Sequence, residues 1–372
     1  MPWLEVTPVS QRQNFVRLAA QSGISLSRLC QRFNISRKTG YKWLRRYSEC
    51  PTDLSDRSRR PRHSPRQTST RIEQAVLKVR QTHPTWGGRK IRARLMALST
   101  PEIPAASTIT AILRRYQQIT PQESAKHRAF ISFEAQAPND LWQMDFKGHF
   151  AISAGRCHPL TVLDDHSRYG VGLFACPDEK GLRVRAHLID LFRRYGLPKR
   201  MLMDNGSPWG QDREHPYTPL TVWLIRLGIG ICHGRAYHPQ TQGKVERFHR
   251  TLKAEVTPYC QTLDLAQCQY RFNDWLTQYN WERPHEALQL GVPGQHYGSS
   301  VRSYPERLPE IDYDPADVVR KVYPEGYFCF RGCQYRVGRA FNGENVAIRP
   351  QPTDGLFTVH YCDQLIAELD LR

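Results

Sequence analysis

The sequence predicts a multidomain chain. All-α helix-turn-helix domains lead, an α/β core on a mixed five-stranded sheet with flanking helices follows, and a small β-barrel ends it. Three observations predict this. Residues 1–130 hold 25 Lys/Arg against 7 Asp/Glu, whereas residues 131–372 hold 28 of each, so the whole excess of +18 lies in the first third. From about residue 137 the apolar spacing changes to strands alternating with helices. From residue 318 short β-rich runs are separated by the turn pairs Asn342-Gly343 and Asp354-Gly355.

The charge asymmetry implies a nucleic-acid-binding front end joined to an electrically balanced body, a solvated basic surface being the plainer reading. The 372 residues suffice for several domains with ample core. Ten cysteines include no Cys-x-x-Cys pair, and Cys329 and Cys333 lack a second pair at zinc spacing. The start carries no apolar signal segment and no apolar run reaches membrane-spanning length. Reduced thiols in a cytosolic protein are therefore expected.

Residues 10–47 read as three short helices, with Phe15, Val16, Leu18 and Ala19 on the first stripe and Leu26, Leu29, Cys30 and Phe33 on the second. Ser36 is the N-cap of the third, with Tyr41 and Leu44 inward. Arg37, Lys38, Thr39 and Lys42 then occupy the exposed face near its start, where a recognition helix touches base edges. Residues 50–66 are a proline-punctuated linker whose Arg57, Arg59 and Arg60 suit phosphates or a minor groove; a plain tether explains them equally. A second three-helix unit spans 68–118: a helix from Thr70 to Thr82, one from Gly88 with Ile91, Leu95 and Met96 inward, and one capped by Ser107. Arg89 and Lys90 are its candidate DNA contacts.

In the core, strands are expected at 141–148, 158–164, 169–176, 199–204 and 229–235, and helices at 181–196, 217–228, 243–260 and 264–280. Three acids stand out. Alternation puts Gln143, Asp145 and Lys147 on one strand face and Trp142, Met144 and Phe146 on the other. Asp204 ends the apolar run Met201-Leu202-Met203, at a strand's carboxyl end where α/β sheets hold ligands. Glu246 shares a helix face with Arg250 and Lys253, while Val245, Phe248, Leu252 and Val256 form the buried stripe. Lys244 and Arg247 add to the cations of this helix, each explained equally as a phosphate contact or a solvated charge. Asp164 and Asp165 at a strand end are turn and capping residues. His238, in the loop before the Glu246 helix, suits DNA contact or loop ordering equally.

These motifs are carried by Trp142-Gln143-Met144-Asp145-Phe146, by Leu163-Asp164-Asp165-His166-Ser167-Arg168, by Asp204-Asn205-Gly206 and by Tyr237-His238-Pro239-Gln240-Thr241-Gln242-Gly243-Lys244-Val245-Glu246-Arg247. In that order they resemble the DDE transposases and retroviral-type integrases with a ribonuclease-H-like core, above all the transposases of bacterial insertion sequences. The resemblance implies domains at 1–49 and 68–120 for DNA, an integrase catalytic core at 137–300 and a barrel at 318–372, joined by linkers at 50–67, 121–136 and 301–317. It makes Asp145, Asp204 and Glu246 a triad holding two Mg²⁺ ions, with Mn²⁺ as a substitute. The implied activity is hydrolysis at a transposon end followed by attack of the freed 3′-hydroxyl on target DNA. Implied partners are double-stranded DNA and further copies of the chain, at least a dimer, without a membrane; the implied place is the bacterial cytoplasm, at the nucleoid. The rival expectations are a repressor with a non-enzymatic core and a recombinase using a Tyr or Ser nucleophile. The chain departs from the compact pattern of this superfamily at Gln211–Pro219, an apparent added loop between the second and third acids.

Overall fold

The computed structural model describes residues 7–21, 23–57, 68–119, 134–210, 217–233 and 243–372. Two compact units divide the chain between Gln67 and Thr68. The first holds α1 (Pro8–Ala20), α2 (Leu26–Arg32) and α3 (Arg37–Glu49). Thr7, Ser25 and Ser36 cap these helices by accepting the backbone N–H of Ser10, Arg28 and Thr39. Phe15, Val16, Leu29, Cys30, Trp43 and Leu54 form the core. Tyr41 does not face it but is 56% exposed; Gly40 and Trp43 turn inward instead. A Cβ on Gly40 would stand 2.6 Å from Cys30 Sγ, so the glycine is the point of closest helix approach and sets the phase of α3.

The second unit starts with α4 (Thr70–Thr82), α5 (Gly88–Ala97) and α6 (Ala106–Arg115), packed around Val76, Trp86, Ile91, Leu95, Ile109 and Leu113. Two expectations change here. Met96 is 53% exposed, because Ile91 and Leu95 already define the inward stripe and Met96 lies a further 100° or so round the helix. Ser107 lies inside α6, whose cap position is Ala105.

The core sheet comprises β1 (Trp142–Phe146), β2 (Phe150–Ile152), β3 (Gly155–Asp164), β4 (Gly170–Cys176), β5 (Arg200–Met203) and β6 (Gly230–His233). β3 pairs antiparallel with β1, β2 and β4, whereas β1, β5 and β6 pair in parallel. Phe146 opposes Leu160 and Phe150 opposes Cys157, so β2 continues the line of β1 after a short interruption. The six strands thus make the five lines expected, and the three residues of β2 were too few to show alternation in the sequence.

Around the sheet lie α7 (Gly181–Tyr195), α8 (Pro219–Arg226), α9 (Gly243–Glu255) and α10 (Leu265–Trp281). α7 and α8 cluster with Trp142, Met144, Met201 and Met203. Val245, Phe248 and Leu252 of α9 cluster with Phe272, Trp275 and Tyr279 of α10 and with Leu163 and Leu173 of the sheet. The Gln143–Asp145 side of β1 therefore meets α9.

At the end of the chain come β7 (Val318–Lys321), β8 (Tyr327–Phe330), β9 (Cys333–Arg336), β10 (Asn345–Pro350), β11 (Leu356–Tyr361) and β12 (Gln364–Asp370). They form an open four-stranded antiparallel sheet, β12-β11-β10-β7, and a hairpin, β8-β9, not the closed barrel expected. Four strands are too few to close with the stagger a barrel needs. Val346, Ile348, Val359 and Tyr361 of this sheet join the hydrophobic cluster of α7 and α8. Among the described residues no helix is long and apolar enough to cross a membrane.

Candidate active site

β1 and β5 run in parallel with Gln143 opposite Leu202. Asp145 lies two residues beyond Gln143 on β1, and Asp204 two beyond Leu202, just past the end of β5 at Met203. Alternation gives Asp145 the Gln143 face, which α9 covers. Trp142 and Met144 anchor the opposite face at 0% exposure.

The start of α9 is stitched to β1. Gln143 Oε1 accepts the Val245 backbone N–H at 3.3 Å, and Gln143 Nε2 donates to Asp165 Oδ1 at 2.7 Å. Asp165 Oδ2 also accepts from Lys244 Nζ at 2.5 Å and from the Ala135 backbone at 2.7 Å. Asp164 accepts from the Asn139 backbone and from the Ser167 backbone and hydroxyl, at 2.8, 2.8 and 2.6 Å. Both aspartates are buried and act structurally. Lys244, expected to face phosphate, is instead locked in a buried ion pair, with its side chain 9% exposed. The lock places Glu246 next along the helix, on the exposed side of α9.

The three candidate acids are treated differently by their surroundings. Burial, and then the charge of Asp204, push the Asp145 carboxyl up to about 7, with Glu179 and Glu246 adding to the effect. Burial also raises Asp204, against a hydrogen bond to Oδ1 from the Gly206 N–H at 3.1 Å. Among the described residues no Lys or Arg pairs with Asp145, Asp204 or Glu246. Nor does any set of three His, Cys, Asp or Glu side chains there stand close enough to hold an ion. Asp145 feels the charge of the other two acids without the three converging. The donor set is nonetheless hard oxygen on two rigid strand ends and one stitched helix, the chemistry that suits Mg²⁺ or Mn²⁺.

Three further residues border these acids, and the sequence reading assigned none of them to the site. His249 Nε2 lies 2.8 Å from Thr161 Oγ1, and its Nδ1 lies 3.9 Å from Asp145 Oδ2. Its signal was its place three residues after Glu246 on one helix. Lys147, on the Asp145 face of the strand, has its amine lowered by burial and by Lys253. Glu179, 2.8 Å from His158 Nδ1, acts on both Asp145 and Asp204 through space and had no local signal.

The candidate DNA-binding cations fall into three groups. Arg37, Lys38 and Lys42 are exposed on α3, Thr39 is half-buried against Ser36, and Arg250 and Lys253 are exposed on α9. Arg57 pairs with Glu49 at 3.2 Å on the surface, and Arg247 is also exposed, its charge reaching Lys90 and His285. On α5 the cations lie near acids of the core, with the Arg89 side chain still 73% exposed. Arg89 stands 3.7 Å from Glu286, and Arg94 bonds Glu282 at 2.7 Å. Lys90 is lowered to about 8 by burial and then by Arg283. Arg59, Arg60 and His238 lie outside the described residues, as do residues 211–216 of the added loop.

Residues 135–239 and 227–293 match the integrase core domain, residues 11–62 a helix-turn-helix domain and residues 39–113 a homeodomain-like domain. Residues 317–372 match the C-terminal domain of the IS481 family transposases. By these matches the chain is similar to the transposases of insertion sequences, with an integrase core domain between helix-turn-helix domains and the C-terminal domain. It is 27% identical over 306 residues to the insertion element IS476 uncharacterized 39.2 kDa protein of Xanthomonas euvesicatoria, covering 79% of each. It is also 27% identical over 159 residues to the insertion element IS407 uncharacterized 31.7 kDa protein of Burkholderia multivorans, covering 43% of this chain and 55% of that one. Among solved structures, a simian T-cell lymphotropic virus intasome chain, in complex with PP2A regulatory subunit B56 gamma, aligns at TM-score 0.39 and 16% identity, over 80% of this chain and 100% of that one.

Proposed function

We propose that this chain binds the ends of its insertion sequence, hydrolyses a phosphodiester there to free a 3′-hydroxyl, and joins that hydroxyl to target DNA. The observation that carries the proposal is the trio of carboxylates with no Lys or Arg paired to them among the described residues, one on β1, one just past the end of the parallel β5 and one on the helix stitched to β1. Asp145, Asp204 and Glu246 would hold Mg²⁺, or Mn²⁺ in its place, through carboxylate oxygens. Bound divalent cations supply Lewis acidity and a nucleophile at neutral pH. The chain's own contribution is alignment. Arg250 and Lys253, exposed on the helix that bears Glu246, and Lys147, two residues beyond Asp145, suit the phosphates on either side of the scissile bond. Arg37, Lys38, Thr39 and Lys42 on α3 suit the sequence of the ends, and the helical domains at 1–49 and 68–120 would deliver DNA to the core. Joining two ends at one target requires at least two copies of the chain.

The test is an assay with linear DNA carrying the element's own inverted repeats. Cleavage and joining are expected only with Mg²⁺ or Mn²⁺, and binding should weaken with salt at a logarithmic slope of about −0.9 per neutralised phosphate. Strand transfer persisting in Asp145→Ala or Glu246→Ala would defeat the proposal. Tight binding of authentic ends with no cleavage would make the chain a repressor, and a covalent protein–DNA adduct would mean a Tyr or Ser nucleophile.

A further inference from the structure

The Thr161 hydroxyl has one hydrogen, and it goes to the Asp145 carbonyl oxygen at 2.8 Å. The 2.8 Å contact between Thr161 Oγ1 and His249 Nε2 must then be donated by the imidazole. That fixes the tautomer: Nε2 carries the hydrogen and Nδ1 is a bare lone pair. The 3.9 Å approach of Nδ1 to Asp145 Oδ2 is therefore two acceptors side by side, not an ion pair. His249 is 13% exposed and is held by α9 on one side and β3 on the other, so the ring has little room to turn away.

We propose that His249 Nδ1 is a nitrogen donor to the divalent cation held by Asp145, making this a mixed nitrogen–oxygen site. The inference rests on the carboxylate site described under the proposed function and adds a fourth side chain to it. Two neighbouring ligands on an ion bound at about 2.1 Å stand about 3 Å apart, so Nδ1 and Oδ2 need to close by about 1 Å, well within side-chain adjustment. The consequence is selectivity. Imidazole strengthens binding of Mn²⁺ more than of Mg²⁺, which prefers oxygen alone. A purely carboxylate site would discriminate between the two ions less.

The experiment measures Mn²⁺ and Mg²⁺ binding to the full chain by titration, with pulsed electron paramagnetic resonance of the Mn²⁺-loaded protein made with ¹⁵N-labelled histidine. His249→Gln is the isolating variant, because the glutamine amide N–H replaces Nε2–H towards Thr161 while Nδ1 is removed. In the unaltered chain we expect a directly bound nitrogen on Mn²⁺. In His249→Gln that signal disappears and Mn²⁺ affinity falls about tenfold, with Mg²⁺ affinity changing less than threefold or so. Unchanged circular dichroism and melting temperature would show that the variant folds. Mn²⁺ bound in an Asp145-dependent way but without a nitrogen signal, or an unchanged Mn²⁺/Mg²⁺ ratio in His249→Gln, overturns the inference and leaves the carboxylate site standing. Mn²⁺ binding that survives Asp145→Asn, or no binding at all, overturns both.

Discussion

The core carries two groups of acids that live in opposite conditions. Asp164 and Asp165 are 0% and 1% exposed, and each accepts three hydrogen bonds. Asp145, Asp204 and Glu246 lie on a more open face with no cation paired to them among the described residues. The first group shows what this fold does with an acid it uses for architecture: it surrounds it with donors and a lysine. Among the described residues Lys147 and Lys253 are near enough to act on each other, yet neither pairs with the second group. Repulsion and burial raise Asp145 and Asp204, and the fold tolerates the cost.

The comparison can be broken most directly at the bare acids. Asp145→Asn, Asp204→Asn or Glu246→Gln should each cost about 4 kcal/mol of transition-state stabilisation, roughly a thousandfold in cleavage rate, with folding intact. Cleavage within tenfold or so of the unaltered rate would show that the bare trio is not the reactive group. The satisfied acids should behave in the reverse way. Asp165→Ala strands Lys244, whose side chain is 9% exposed, and should cost about 3 kcal/mol or more in chemical denaturation. Adding Lys244→Met should recover much of that loss, because it removes the stranded charge. A double variant no more stable than Asp165→Ala would mean that the bonds from Gln143 and Ala135, not the ion pair, carry the energy.

The third test concerns pH. An aspartate raised from 3.8 to about 7 holds its proton more tightly folded than unfolded. Stability is therefore greatest below the lower value, falls as pH rises through this window and levels off above it. Asp145→Asn should remove that slope and stabilise the cation-free protein by about 1–3 kcal/mol at pH 8, while leaving it nearly unchanged at pH 4. Melting curves at the two pH values decide it, and a variant destabilised at pH 8 would mean that Asp145 is already satisfied.

How much of this was legible in the sequence follows from the range of each interaction. Asp145 was legible because a strand's alternation is local, and Asp204 because an apolar run ends at it. The lock between Lys244 and Asp165 was not, because the partners are 79 residues apart and only the crossing of α9 over β1 unites them. Tyr41 and Met96 were misplaced for a different reason. Helical spacing gives a stripe, but a glycine within it or a neighbouring stripe of equal apolarity moves its phase, as Gly40 does through its close approach to Cys30. The C-terminal strands were legible as strands, yet closure depends on the pairing of the first with the last, which short alternating runs do not encode. The basic side of α5 read as a DNA surface because its acids, Glu282 and Glu286, arrive from the far end of the core.

Those last contacts supply the smallest and most discriminating prediction. Glu255 and Glu282 both meet the helical domain of α4 to α6, but in different settings. Glu255 has its side chain 15% exposed, accepts from Trp275 Nε1 at 2.7 Å, and is bonded by Arg283 and Thr85. Glu282 is 35% exposed and bonds Arg94 at 2.7 Å. If burial, rather than pairing as such, separates architectural acids from the rest, Glu282→Gln should cost only about 0.5–1 kcal/mol, shrinking further in high salt. Glu255→Gln should cost clearly more, because Arg283 would be left buried without its counter-charge. Equal losses in the two variants by denaturation would show that pairing alone sets the cost, and the contrast between the bare trio and its satisfied neighbours would then have to rest on hydrogen-bond count instead of burial.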